Sequence, residues 1–159
     1  MDPVIKKIIG REKGYVNHPK DRGGPTKYGI TQGTLSKHLG RPATAADVAK
    51  LTPEAAADIY DREYASRFRF IKDEKLRDLV TDSAVHHGPQ DAIRFLQKAA
   101  GLQPDGLLGP QTVDAVSKMP VEDVYDRVLG QRVRKIQTLG RGNRTFAAGW
   151  NKRLEEFMQ

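Results

Sequence analysis

The sequence predicts a mainly helical protein, a bundle of helices with one small β-hairpin near the N-terminus. Apolar residues recur at spacings of three and four in successive segments, most opened by Asp, Thr or Pro and several closed by Gly. That pattern fails between Gly14 and Thr31, where Gly14, Pro19, Gly23, Gly24, Pro25 and Gly29 break it. At 159 residues, with 38% apolar and 30% charged side chains, the chain can bury a substantial core in one domain's length.

The elements follow in order. Asp2 caps a first helix and Pro3 takes its first position, so Val4, Ile5, Ile8 and Ile9 share a stripe and Glu12 falls near its C-terminal end. A carboxylate there meets the negative end of the helix dipole, and partial burial adds desolvation; both favour the protonated form. Tyr15-Val16 and Tyr28-Gly29-Ile30-Thr31 read as short strands around a turn that carries Asp21 and Thr26. Thr31 to Gly40 reads as a helix with Leu35 and Leu39 inward. Thr44 and Asp47 have capping-box spacing, and Thr52-Pro53-Glu54 opens a helix to about Arg67 with Ile59, Tyr60 and Tyr64 in the core.

Asp73 caps the next helix, with Leu76, Val80 and Ala84 inward, and Gly88-Pro89 ends it. Gln90 to Ala100 buries Ile93 and Leu96. A turn-rich stretch from Leu102 leads to Pro110, which begins a helix with Val113 and Val116. Pro120 starts a longer one with Val121, Val124, Val128, Val133 and Ile136 as its approximate stripe, interrupted at Gly140 to Gly142. Phe146, Trp150, Leu154 and Phe157 mark a final amphipathic helix, where Trp150 reads as core.

Composition narrows the function. No apolar run reaches the length needed to span a bilayer, and the N-terminus lacks the basic-then-apolar order of a signal peptide. The absence of cysteine excludes disulfides and thiolate chemistry. The net charge of +7 is local: Arg127 to Arg153 holds eight basic residues and no acid, leaving −1 for the rest. Such a segment is either a solvated helix face or a patch for a polyanion. A nucleic-acid reading leaves the first half of the chain unexplained, so an anionic cell-envelope surface is the expected partner and nucleic acid is not. His86-His87 and His18 lack the spacing of a zinc signature, and no metal is expected.

The chemistry concentrates between Arg11 and Thr31. An acid at a helix end (Glu12), a second carboxylate (Asp21) and a hydroxyl (Thr26) form the set that glycoside hydrolysis uses, although Asp21 in Asp-Arg-Gly-Gly also suits a simple backbone turn. Tyr15 and Tyr28 suit packing or sugar stacking. Glu12, Gly14, Tyr15, Asp21, Gly23, Gly24, Thr26, Gly29, Ile30 and Thr31 match, position by position, the Glu-Gly-Gly-Tyr and Asp-x-Gly-Gly-x-Thr-x-x-Gly-Ile-Thr blocks of glycoside hydrolase family 108 lysozymes of phage endolysin type. The resemblance covers roughly residues 5 to 90 and continues through Leu51 to Ala55, Ile59-Tyr60 and Asp82 to Val85. From Ala92 to Val116, Leu96-Gln97, Gly101-Leu102, Asp105-Gly106 and Gly109-Pro110-x-Thr112 look like the peptidoglycan-binding segment attached to that family, with Gly149-Trp150 and Arg153 resembling its end.

That resemblance implies a lysozyme-like α+β fold, with a catalytic region over 1–90 and a helical peptidoglycan-binding region over 91–159 packed on it. It implies cleavage of the β-1,4 bond between N-acetylmuramic acid and N-acetylglucosamine, with Glu12 as general acid, Asp21 as base or oxocarbenium stabiliser and Thr26 positioning water. Tyr15, Tyr28, His86 and Asp105 are the implied substrate contacts. It further implies a monomer without cofactor, made in the host cytoplasm and acting on peptidoglycan after the membrane is permeabilised. A lytic transglycosylase and a non-catalytic wall binder remain alternatives. Two positions depart from the pattern: Lys13 replaces the second residue of Glu-Gly-Gly, and His86 stands where the family often has Asn.

Overall fold

A computed structural model describes residues 1–12, 15–16, 24–142 and 144–159, with side chains described except at 15–16 and 141–148. It divides into two compact units, Met1–Ser66 and Arg67–Gln159.

The first unit begins with α1 (Pro3–Arg11), where the Val4 N–H donates to Asp2 Oδ1 at 2.8 Å and Val4, Ile5 and Ile8 are buried. α1 packs on α4 (Pro53–Glu63), which contributes Ala56, Ile59 and Tyr60 to the same core. Between them lies an antiparallel sheet of three two-residue strands in the order β1 (Tyr15–Val16), β2 (Thr26–Lys27), β3 (Ile30–Thr31). Thr26 pairs with Val16 on one side and Thr31 on the other, and Lys27 pairs with Tyr15 and Ile30. Tyr28 and Gly29, expected in a strand, instead form the two-residue turn joining β2 to β3. Both have left-handed φ, 53° and 76°, which a strand cannot accommodate and a type I′ hairpin requires.

α2 (Gln32–Leu39) starts on a Thr31 cap and stops at Gly40, with Leu35 buried as expected. Leu39 is 42% exposed instead: the helix has only two turns, packs on β3 and α3, and ends at this residue. α3 (Ala45–Ala49) shows the expected capping box, in which Thr44 and Asp47 exchange side-chain and backbone hydrogen bonds. A hydrogen bond from Arg41, then the Thr44 N–H, holds the Asp47 carboxyl well below its ordinary range. α4 stops at Glu63 rather than near Arg67, because Tyr64 leaves helical geometry (φ −127°, ψ −58°) and a 3₁₀ turn, Ala65–Phe68, follows.

The second unit is helical. α5 (Glu74–His87) begins on Asp73, whose Oδ1 accepts from the Leu76 N–H at 2.8 Å, and buries Leu76, Leu79, Val80 and Ala84. α6 (Pro89–Ala99) buries Ile93 and Leu96, and α7 (Pro110–Ser117) buries Thr112 and Val116. α8 (Val121–Gly142) and α9 (Arg144–Glu155) complete it. α8 packs against α5, α6 and α9; it runs through Gly140 and ends at Gly142, within the Gly140 to Gly142 stretch where an interruption was expected.

The buried line of α8 also differs from the apolar stripe. Val124, Tyr125, Val128 and Ile136 are buried, Val133 is half-buried, and Val121 is exposed. The line 128–132–136 runs through Arg132, which has 0% exposure. A reading that follows apolar residues steps over it. Among the described residues no helix is long and apolar enough to cross a membrane.

Candidate active site

Glu12 follows directly on α1 and caps it: its N–H donates to the Ile8 carbonyl at 3.0 Å, and its own backbone (φ −108°, ψ 66°) has left the helix. Its side chain is half-buried and lies against the β2–β3 turn. A Cβ built on Gly29 would stand 2.9 Å from Glu12 Cβ, 3.0 Å from Glu12 Cγ and 2.6 Å from the Tyr60 hydroxyl. The turn therefore approaches the carboxylate's stem as closely as backbone can. Gly29 is required twice, for its left-handed φ and for its missing side chain.

Tyr60 completes the support. Buried in α4, it donates its hydroxyl proton to the Tyr28 carbonyl and so fixes the apex of the turn, including the left-handed Tyr28. Such a conformation costs free energy at a non-glycine residue and persists when surroundings hold it. Tyr60 was read only as core; its hydroxyl, 32 positions from its acceptor, is the part the periodicity could not place.

This arrangement predicts the effect of Gly29→Ala. Strained φ and the contacts with Glu12 and Tyr60 should together cost roughly 2 to 4 kcal/mol, with a loss of turnover because Glu12 is pushed from its seat. Urea unfolding and turnover rates check this; a variant within about 0.5 kcal/mol of the parent with full turnover contradicts the close approach.

The other sequence-derived site residues are distributed as follows. Thr26 lies in β2, half-buried, and Tyr28 is half-buried at the turn, with Lys27 Nζ 5.6 Å from its ring centre. Tyr15 pairs in β1, its side chain not described. Asp21, Lys13 and His18 lie outside the described residues.

His86 and Asp105 belong to the second unit. His86 is half-buried near the end of α5, stacked on His87 at 4.3 Å and tilted against Trp150 at 5.9 Å. Arg132 Nη2 lies 3.2 Å from His86 Nδ1. A guanidinium only donates, so Nδ1 accepts and the ring proton sits on Nε2. Burial, then the Arg132 charge, brings the His86 pKa down to about 4, so the ring is neutral in neutral solution and keeps an N–H donor. Asp105 ties down its own loop: Oδ1 accepts from Gln97 Nε2 at 2.8 Å and from the Leu107 N–H at 2.9 Å. The buried Gln97 also donates to the Leu107 carbonyl and Thr112 Oγ1 and accepts from the Gly106 N–H.

The basic segment is largely spoken for. Arg132 Nη1 donates to Asp82 Oδ2 at 3.0 Å, both side chains being fully buried, and Arg153 Nη2 reaches Asp82 Oδ1 at 2.7 Å. Lys135 pairs with Asp91 at 2.6 Å, and Arg127 caps the Ala99 carbonyl at 2.8 Å. Arg132, expected on a surface patch, is an interior cation whose partner lies 50 positions earlier. Arg134 and Lys152 are exposed. Among the described residues no three His, Cys, Asp or Glu side chains converge as a metal site.

Comparison with known proteins identifies a family. Residues 5–88 match the Glycosyl hydrolase 108 family. The structure of Brucella abortus SagA is similar at a TM-score of 0.87 and 35% sequence identity, over 97% of this chain and 88% of that one. No curated protein matches. With more than half its length matched, including Glu12, the Tyr28–Gly29 turn and Tyr60, this chain belongs to the glycosyl hydrolase 108 family and is a glycosidase.

Proposed function

We propose that the chain is an endolysin-type muramidase that hydrolyses the β-1,4 linkage between N-acetylmuramic acid and N-acetylglucosamine in bacterial peptidoglycan. The observation that carries this reading is the seating of Glu12, a half-buried carboxylate at a helix C-terminus held against a turn that has no room for a side chain. Membership of a glycosidase family supports it. Helix end and partial burial both favour the protonated acid, the form that delivers a proton to the glycosidic oxygen as the bond breaks. Asp21 then acts as base or stabilises the oxocarbenium-like transition state, and Thr26 orients the water. Tyr15 and Tyr28 offer stacking faces, while His86 Nε2–H and Asp105 offer polar contacts to the polymer.

In this proposal residues 91–159 form a peptidoglycan-binding region, and the enzyme works as a monomer without cofactor. It is made in a host cytoplasm and reaches the wall once another protein has permeabilised the membrane. Fragment analysis of digested, purified peptidoglycan tests the chemistry. The expected products carry added water and a new reducing end on muramic acid. Anhydro-muramic ends would instead identify a lytic transglycosylase, and binding without new ends a non-catalytic wall protein.

A further inference from the structure

Glu12 is seated by a closed circuit of contacts inside the first unit. α1 ends at Glu12 and packs on α4, Tyr60 of α4 donates to the Tyr28 carbonyl, and the turn carrying that carbonyl lies against the Glu12 stem. Each link is short. The point where a Gly29 side chain would begin is 2.6 Å from the Tyr60 hydroxyl oxygen and 2.9 and 3.0 Å from Glu12 Cβ and Cγ, so hydroxyl and acid flank the same glycine.

The carbonyl that Tyr60 grips belongs to the peptide between Tyr28 and Gly29, the central peptide of the turn. Its orientation decides where the Gly29 backbone goes. Tyr28 stands at φ 53°, a left-handed conformation that costs an L-residue free energy and that asparagine, aspartate or glycine usually supplies in a type I′ turn. A tyrosine left to itself favours negative φ, which would re-aim the central peptide and withdraw Gly29 from Glu12. The turn thus carries a residue that opposes its conformation, and a buried hydroxyl that imposes it. The Tyr60 ring is itself fully buried and lies 5.7 Å from the Tyr64 ring, which fixes the direction of that hydroxyl.

We propose that Tyr60 is a positioning residue for the general acid: through the Tyr28–Gly29 turn its hydroxyl holds the Glu12 side chain where it delivers its proton. The inference rests on the reading of Glu12 as that acid. Tyr60 touches no substrate in this scheme. Its loss lets the turn relax and water reach the carboxyl, so the acid is both misplaced and more readily ionised.

The test compares the full chain with Tyr60→Phe on soluble peptidoglycan fragments across pH. Phenylalanine keeps the buried ring and removes the hydroxyl. kcat should fall about 10- to 100-fold, the scale of a misplaced catalytic group, with KM changed by less than about twofold. Activity requires protonated Glu12 and is lost as pH rises through its titration; in Tyr60→Phe that alkaline limb of kcat/KM should move to lower pH. Ile59→Val, a neighbouring core change in α4 that leaves the hydroxyl in place, should leave the limb where it is.

Two further backgrounds decide the route. Once Glu12→Gln has removed the acid, Tyr60→Phe should lower kcat by less than about twofold, because a positioning residue has nothing left to position. With Tyr28→Asn, where Asn-Gly supports the left-handed turn by itself, Tyr60→Phe should again cost less than about twofold. This pair stays informative if Tyr60→Phe alone does not fold. An unmoved pH limb in Tyr60→Phe, or a full Tyr60→Phe loss in either background, overturns the proposal. Glu12→Gln with parental kcat would sink the acid reading itself, whereas a crippled Glu12→Gln chain beside a parental Tyr60→Phe chain would sink the positioning role alone.

Discussion

Glu12→Gln is expected to lower wall hydrolysis by about 10²- to 10⁴-fold, the usual contribution of a positioned general acid, while leaving the unfolding midpoint and the far-ultraviolet circular dichroism spectrum unchanged. The reason lies in the geometry of the seat. Glutamine has the same stem, so the contacts that Glu12 Cβ and Cγ make with the Gly29 backbone survive, as does the cap from its N–H to Ile8. The exchange removes the transferable proton. Because the substitution removes an interaction made in the transition state, the drop should appear in kcat with little change in KM. Undiminished clearing of purified peptidoglycan by a folded Glu12→Gln chain would remove Glu12 from the mechanism.

The second large effect concerns stability. Asp82→Asn should destabilise the protein by about 3 to 5 kcal/mol, a large part of the 5 to 15 kcal/mol typical of a whole domain. Asp82 is fully buried and is shared by two guanidiniums: Arg132, also fully buried, and Arg153, which retains some exposure. Removing the carboxylate leaves Arg132 charged with no water to turn to, whereas Arg153 can relax outward. Arg153→Leu should therefore cost less than Asp82→Asn. Urea titrations of the two variants decide it; an Asp82→Asn chain within about 1 kcal/mol of the parent would show that other groups neutralise the cluster.

Helix existence was mostly legible in the sequence, because caps and apolar spacing are local: Asp2, Thr44, Thr52 and Asp73 all cap where expected. The position of Glu12 beyond α1 was legible for the same reason. The turn beneath it was not, since Tyr28-Gly29 resembles a strand until its backbone conformation is known. The role of Tyr60 was hidden because its polar atom acts across 32 residues while its ring satisfies the apolar pattern. The basic run misled most. Charge in a sequence is additive, but Arg132, Lys135 and Arg153 each meet an acid 44 to 71 positions away, and those pairings cancel within the fold what the run displays on paper.

These long pairings also bear on how the chain emerges from a ribosome. The first unit closes within 66 residues, so it can settle while the remainder is still being made. Asp82 then emerges ahead of Arg132 by 50 residues and of Arg153 by 71. At synthesis rates of about 5 to 20 residues per second, this leaves α5 for some seconds with an acid destined for the interior and no cation to accompany it. α5 and α6 pack extensively on each other, yet the buried acid of α5 meets its buried cation only when α8 arrives carrying Arg132. The interior of the second unit should thus be completed late, with α8 as the piece that closes it.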